Sequence, residues 1–333
     1  MSRAPSIDDL TDALIERKLV RPDAPPPAPF EDRPWYISAV LGASGWLAGL
    51  FVLVFVGILF EPETAAAFAV AGLVMLAAAF GLYAAARSAF FDQLALALSI
   101  AGQLALTWAA FQATDSATAT AALVTLLQIV LWVAMPNRLA KVLAAFFACI
   151  AWALAVRFAL WGEALLSDVR SEVPLGLALV SWGVIWAPLI AAAQVLIAFE
   201  AGWMAAPPRT LARPALTGLL MALATATWAS EPLGTLVFWA PPSGTYTNWL
   251  VLWPLLGAGT ALFAAVCAYR LKNRALVGLA IAGGLLHVIQ FYYLLGTTLV
   301  MKSMIMLGVG VVLLAAAWSL ERRRARAAGS APE

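Results

Sequence analysis

Residues 270–303 read RLKNRALVGLAIAGGLLHVIQFYYLLGTTLVMKS, and this stretch decides the fold. Arg270, Lys272 and Arg274 crowd its start, and no further Lys, Arg, Asp or Glu interrupts it before Lys302. A hydrocarbon core of roughly 30 Å is crossed by about 20 helical residues, so 275–295 reads as one membrane span behind a basic turn. Only helices and closed barrels satisfy their backbone groups in lipid. The Ala/Leu/Val/Ile run lacks period-2 alternation, which favours a helix over a barrel strand.

The same unit recurs outward along the chain. Apolar spans are predicted at 37–60, 64–86, 93–113, 117–135, 141–161, 174–199, 214–230, 249–269, 275–295 and 303–320. Composition agrees: 63% of the 333 residues are hydrophobic and 11% charged, with mean hydropathy +0.90, whereas a soluble domain is about 45–50% apolar. The span 214–230 is short and rich in threonine, and 231–248 after it is a candidate re-entrant segment. Many of the 14 tryptophans fall near span ends, which suits the headgroup region.

Basic residues sort onto alternate turns. Seventeen of the 20 Lys and Arg lie on one side, if the N-terminus is taken as inside: Arg87, Arg138, Lys141, Arg209, Arg213, Arg270, Lys272, Arg274 and those of the two tails. Arg157, Arg170 and Lys302 fall on the other side, with Glu61, Glu63, Asp115, Glu163, Asp168, Glu172 and Glu231. The positive-inside rule then places both termini in the cytoplasm. The expected fold is an all-α integral membrane protein, a bundle of about ten transmembrane helices with N-in/C-in topology.

Three regions follow. Residues 1–34 form a cytoplasmic tail with a short amphipathic helix, which Ser6-Ile7-Asp8-Asp9 opens as a cap, and a proline-rich linker. Residues 35–320 form the transmembrane domain, and 321–333 a basic tail whose Arg322-Arg323-Arg324 anchors the topology. No cleavable signal peptide is expected. Gly42, Gly45 and Gly49 share one face of the first span, where small residues admit a close neighbour. Pro188 and Pro254 predict kinks in the sixth and eighth spans. Cys149 and Cys267 fall at different depths and read as buried, reduced thiols.

The familiar chemical motifs are missing. There is one histidine and no CxxC, HExxH, GxSxG or P-loop pattern, so zinc hydrolysis, thiol redox chemistry and nucleotide hydrolysis lack their usual parts. No cofactor or metal is implied. A net charge of +2 gives no nucleic-acid signal.

Ionisable and polar residues inside spans are costly in lipid and are therefore the functional candidates. His287 lies about 18 Å from the inner end of its span at 1.5 Å per residue. Gln290 shares its face, and Gln103 sits at comparable depth as a possible partner. Tyr292 and Tyr293 point elsewhere. Arg157 lies in the outer third of the fifth span, where Glu163, Glu231 or Glu61 is positioned to approach it. Lys302, followed by Ser303, starts the last span at the outer face. These residues predict an outward-facing polar pocket or partner surface.

The run Phe291-Tyr292-Tyr293-Leu294-Leu295-Gly296-Thr297-Thr298-Leu299-Val300-Met301-Lys302-Ser303, with Pro34-Trp35-Tyr36 leading into Gly45-Trp46-Leu47, resembles a bacterial polytopic inner-membrane family classed as a domain of unknown function. The resemblance covers nearly the whole chain. It implies location in the inner membrane and a membrane-anchored exported partner, because similar proteins are often encoded beside one bearing a Gly-Asp-Tyr-x-x-Leu-x-Tyr signature. It carries over no catalytic residue.

Three functions are open from these residues. The first is a binding or scaffold component of an envelope assembly, embedded in the lipid bilayer and meeting an exported partner. The second is a small secondary transporter of the ten-helix type, although its two halves show no convincing internal similarity. The third is a membrane-embedded enzyme acting on a lipid-linked substrate.

Overall fold

The computed structural model describes residues 35–60, 64–85, 88–163, 174–199, 209–231, 252–294 and 298–305, with 307, 308, 310, 311, 314 and 318. The tail helix, the proline-rich linker, the candidate re-entrant segment 231–248 beyond Glu231 and the basic C-terminal tail lie outside them. All regular structure among the described residues is helical. The helices are α1 (Trp35–Phe60), α2 (Ala65–Ala85), α3 (Ala89–Thr114), α4 (Ala117–Ala134), α5 (Arg138–Trp161), α6 (Leu175–Ala198), α7 (Arg209–Thr225), α8 (Trp253–Arg270) and α9 (Arg274–Leu294). A 3-10 turn, Thr227–Ser230, follows α7, and helical backbone resumes at 299.

Local chemistry sets several ends. Ser88 and Ser116 accept from the backbone N–H groups of Phe91 and Ala119 and start α3 and α4. Asn137 caps two N–H groups of α5. These side chains satisfy donors that a helix start leaves without partners. Asp115 at φ 47 and Lys272 at φ 53 turn the chain between α3 and α4 and between α8 and α9.

Two proline expectations change. Pro254 sits in the first turn of α8, which begins at Trp253, and does not kink the helix interior. A missing N–H costs little there, because that amide has no helical acceptor. Conversely, α7 begins at Arg209 and runs through Pro214, which the sequence places at the start of its span. Pro188 does lie inside α6. Beside the Val184 carbonyl that it deprives of a donor, Trp152 Nε1 donates to the Ile185 carbonyl at 3.3 Å.

Packing follows chain order only in part. Helix α3 holds α1 and α2, α4 pairs with α5, and α8 pairs with α9. Gly45 of α1 faces the Phe90 carbonyl of α3 so closely that an added Cβ would stand 2.6 Å from it. Helix α7 departs furthest from it and packs against α5, α6, α8 and α9 together. Leu216, Leu219, Leu220 and Leu223 are buried in the main core with Ile185 and Trp186 of α6.

This explains the weak apolar signal of 214–230. A helix enclosed by protein need not be as apolar as one facing lipid. The Thr217 and Thr225 hydroxyls donate to the Arg213 and Met221 carbonyls, so these two threonines are satisfied within the helix.

The outer surface is apolar. Phe55, Ile58, Leu73, Val130, Leu262, Leu286 and Leu314 are all exposed, on a scale no water-soluble monomer shows. Among the described residues, six helices are long and apolar enough to cross a membrane: those within α2, α3, α4, α5, α6 and α9. The architecture fits a helical membrane protein.

Glu163 ties two helix ends together just past α5. Its carboxylate accepts from Ser116 Oγ at 2.6 Å and from the N–H groups of Ala117 and Thr118 at 2.9 and 3.0 Å. It serves as a charged cap for α4 and is not a partner of Arg157. These donors hold its pKa down at about 2, below the ordinary 4.5. A depressed carboxylate stabilises the fold above its unfolded pKa and stops doing so as pH falls through its folded value. Thermal unfolding in detergent should therefore separate wild type from Glu163→Gln at neutral pH. That gap should persist down to 4.5 and close as pH approaches about 2. A gap that does not change with pH excludes the carboxylate charge as its cause.

Candidate functional site

Helix α7 stops at Thr225, and the 3-10 turn that follows bends its polar residues inward. Thr227, Ser230 and Glu231 are all buried. Ser230 Oγ donates to the Thr227 carbonyl at 2.7 Å and receives Trp186 Nε1 at 2.8 Å. The turn is thus fixed from both sides.

Helix α9 brings His287 to this turn, with Nε2 2.9 Å from Thr227 Oγ1. One turn before it, Gly283 lies against the Ala224 carbonyl, closer than any Cβ would permit. Helix α8 approaches from the other side through Gly257. A Cβ there would stand 2.6 Å from Thr227 Oγ1 and 2.7 Å from His287 Nδ1 and Cε1. Bare backbone is required at both crossings for the histidine and threonine to meet.

Glu231, Gln290, Trp182 and Trp253 line the same small space, whose volume is about 10 Å³. That admits about one water molecule. The indole N–H of Trp182 is buried without a partner, so an unpaired donor borders the space.

Arg157 completes the cluster. It is 2% exposed, near the end of α5, and its Nη1 has no hydrogen-bond partner. The guanidinium lies 5.5 Å from the Phe158 ring centroid. Glu231, itself 3% exposed, supplies an opposing charge that acts on it. A cation and a carboxylate are both withdrawn from solvent here, and His287 borders the carboxylate's cavity. Buried charges are retained when they balance one another.

The candidates read from sequence therefore fall into three places rather than one pocket. His287, Gln290 and Arg157 belong to the cluster around Thr227 and Glu231. Gln103 is elsewhere: its Oε1 accepts from Gln128 Nε2 at 2.8 Å, and its Nε2 donates to Ser99 Oγ at 2.9 Å. It is not a partner of His287, because Thr227 already fills that role.

Tyr292, Tyr293, Lys302 and Ser303 form the third group. The Lys302 ammonium sits 5.0 Å above the Tyr292 ring, a cation–π contact. Tyr292 meets Tyr293 edge to face, and Tyr293 is 66% exposed. Ser303 Oγ donates to the Leu299 carbonyl and is exposed.

Sequence reasoning missed Thr227 and Gly257. The available signal for Thr227 was the threonine-rich weakness of its span. Gly257 carried none, since its role depends on which helices cross. Among the described residues no group of three His, Cys, Asp or Glu is placed to hold a metal ion. Cys149 and Cys267 are free and buried.

The model of a family described as a domain of unknown function (DUF4401) matches residues 34–323. No curated protein and no solved structure matches the chain.

Proposed function

The chain belongs to the DUF4401 family, and from that premise we propose that it is a multi-pass bacterial inner-membrane protein serving as a binding or scaffold component of an envelope assembly. In this reading, ten spans with both termini cytoplasmic put Tyr292, Tyr293, Lys302 and Ser303 at the periplasmic face. The observation that carries the reading is the shape of that group. Lys302 is held over Tyr292, while Tyr293 stands 66% exposed beside it. An exposed tyrosine beside a fixed aromatic ring has the composition of an interface anchor. The space beside His287, at about 10 Å³, is too small for a metabolite.

A photo-crosslinking residue at Tyr293, introduced in the native host, tests this. It should yield a discrete adduct with an exported or membrane-anchored protein, and the same probe at lipid-exposed Leu262 should not. No adduct at Tyr293, from a protein that also purifies alone, sinks the scaffold reading.

A second reading, a small secondary transporter, is favoured by the buried Arg157, Glu231 and His287 where α7 gives way to a 3-10 turn. Transporters build their coupling sites where helices break off inside the membrane. Under this reading a cysteine at Thr227 becomes reactive to an impermeant maleimide from each side of the membrane in turn. Under the scaffold reading it stays protected from both.

A further inference from the structure

A carboxyl group withdrawn from water is balanced by a nearby cation or neutralised by a proton. Glu231, 3% exposed at the end of the 3-10 turn, lies where both are at hand. Arg157 of α5 supplies the positive charge. His287 of α9, 4% exposed, is a second group able to carry a proton.

Two influences on Glu231 oppose each other. Burial favours the neutral acid, and a guanidinium nearby favours the carboxylate. Burial alone locks a proton on, and a saturated ion pair locks it off. Arg157 is not saturated, since its buried Nη1 has no hydrogen-bond partner. The opposition leaves the Glu231 proton exchangeable.

The surroundings supply a path for it. Glu231 and His287 line one space of about 10 Å³, room for about one water molecule. Trp182 borders that space with a buried N–H that lacks an acceptor, and a water oxygen satisfies such a donor. The imidazole is held in place by Thr227 Oγ1, 2.9 Å from Nε2. The other walls do not titrate: α6 contributes Trp182, and α8 contributes Trp253, Pro254 and Gly257. Glu163 is engaged in capping α4. Among the described residues, the groups that set the charge at this turn are Arg157, Glu231 and His287.

We propose that Glu231 is the acceptor of a buried proton-binding site, with His287 and one water in the shared space as its relay. An O–H bond forms at one carboxylate oxygen as the water gives up a proton. The water is restored by a proton passed on from His287 or from solvent. Uptake converts the balanced pair of Arg157 and Glu231 into a single positive charge. Chains of acidic residues and histidine inside membrane proteins mark proton routes. The site stands apart from the scaffold reading, since neither Tyr293 nor Lys302 takes part in it.

Infrared spectroscopy of the full chain in detergent reads this proton directly, because a carboxylic acid has a carbonyl band that a carboxylate lacks. Glu231→Gln keeps the size and hydrogen-bonding ends of the acid, and a matched unfolding midpoint verifies its fold. The difference between wild type and Glu231→Gln should show one acid band at low pH. That band should shift in heavy water and vanish as pH rises. Arg157→Met should move its loss to higher pH, because the carboxylate then lacks its favouring cation. His287→Gln should keep the band and slow its exchange with heavy water several-fold. A difference spectrum without an acid band at any pH overturns the site, as does a band whose titration ignores Arg157→Met. Exchange that is equally fast in His287→Gln overturns the relay.

Discussion

Replacing Arg157 by methionine should cost about 1–3 kcal/mol of stability, the size expected when a buried polar group is left without its partner. The side chain is 2% exposed, and its charge opposes that of Glu231, which is 3% exposed. Without the guanidinium, Glu231 must either remain charged in a low-dielectric site or take up a proton. Both routes destabilise the fold. The loss should be specific to the pair, so Arg157→Met combined with Glu231→Gln should recover most of it. A double-mutant cycle from chemical denaturation in micelles measures this coupling. Strict additivity of the two changes would mean that the two charges do not sense one another.

Gly257→Ala should be strongly destabilising for so small a change. The added carbon meets Thr227 Oγ1 at 2.6 Å and the His287 ring at 2.7 Å. Overpacking of this kind costs about 1–3 kcal/mol. Separating the buried histidine from the threonine adds about 1–3 kcal/mol for the polar groups left without partners. Gly259, two residues on in the same helix, has nothing within 4 Å of its built Cβ. Gly259→Ala should therefore be neutral or stabilising by up to about 1 kcal/mol, through helix propensity alone. Unfolding midpoints of the two variants, measured side by side in detergent, check the pair. Equal effects would remove the close approach at Gly257 as the cause.

Much of the helix plan is legible in the sequence because lipid leaves a chain few choices. The apolar runs are long, and Ser88, Ser116 and Asn137 mark where three helices start. The errors lie where burial within protein replaces burial in lipid. Helix α7 is enclosed by its neighbours, so its apolar signal is weak, and Pro214 hid the helical residues before it, from Arg209 on. At the site, His287 and Arg157 are visible from sequence because an ionisable group in a span is costly. Their neighbours are not: Thr227 lies 60 positions from His287, and nothing local says that α9 crosses the end of α7. Gln103 shows the same limit, since its depth suited His287 while its real partners are Ser99 and Gln128.

The enclosed position of α7 bears on how the chain enters its bilayer. Its 17 residues extend only about 25 Å at 1.5 Å per residue, short of a core of roughly 30 Å. Arg209, Arg213 and Pro214 weaken its first half. Such a segment partitions poorly when it leaves the insertion machinery alone. Its membrane insertion must wait for α8 and α9, which come after it in synthesis, to cover it. Biogenesis of this half is then a concerted step rather than one span at a time, and the polar cluster at the end of α7 can form only once that step is complete.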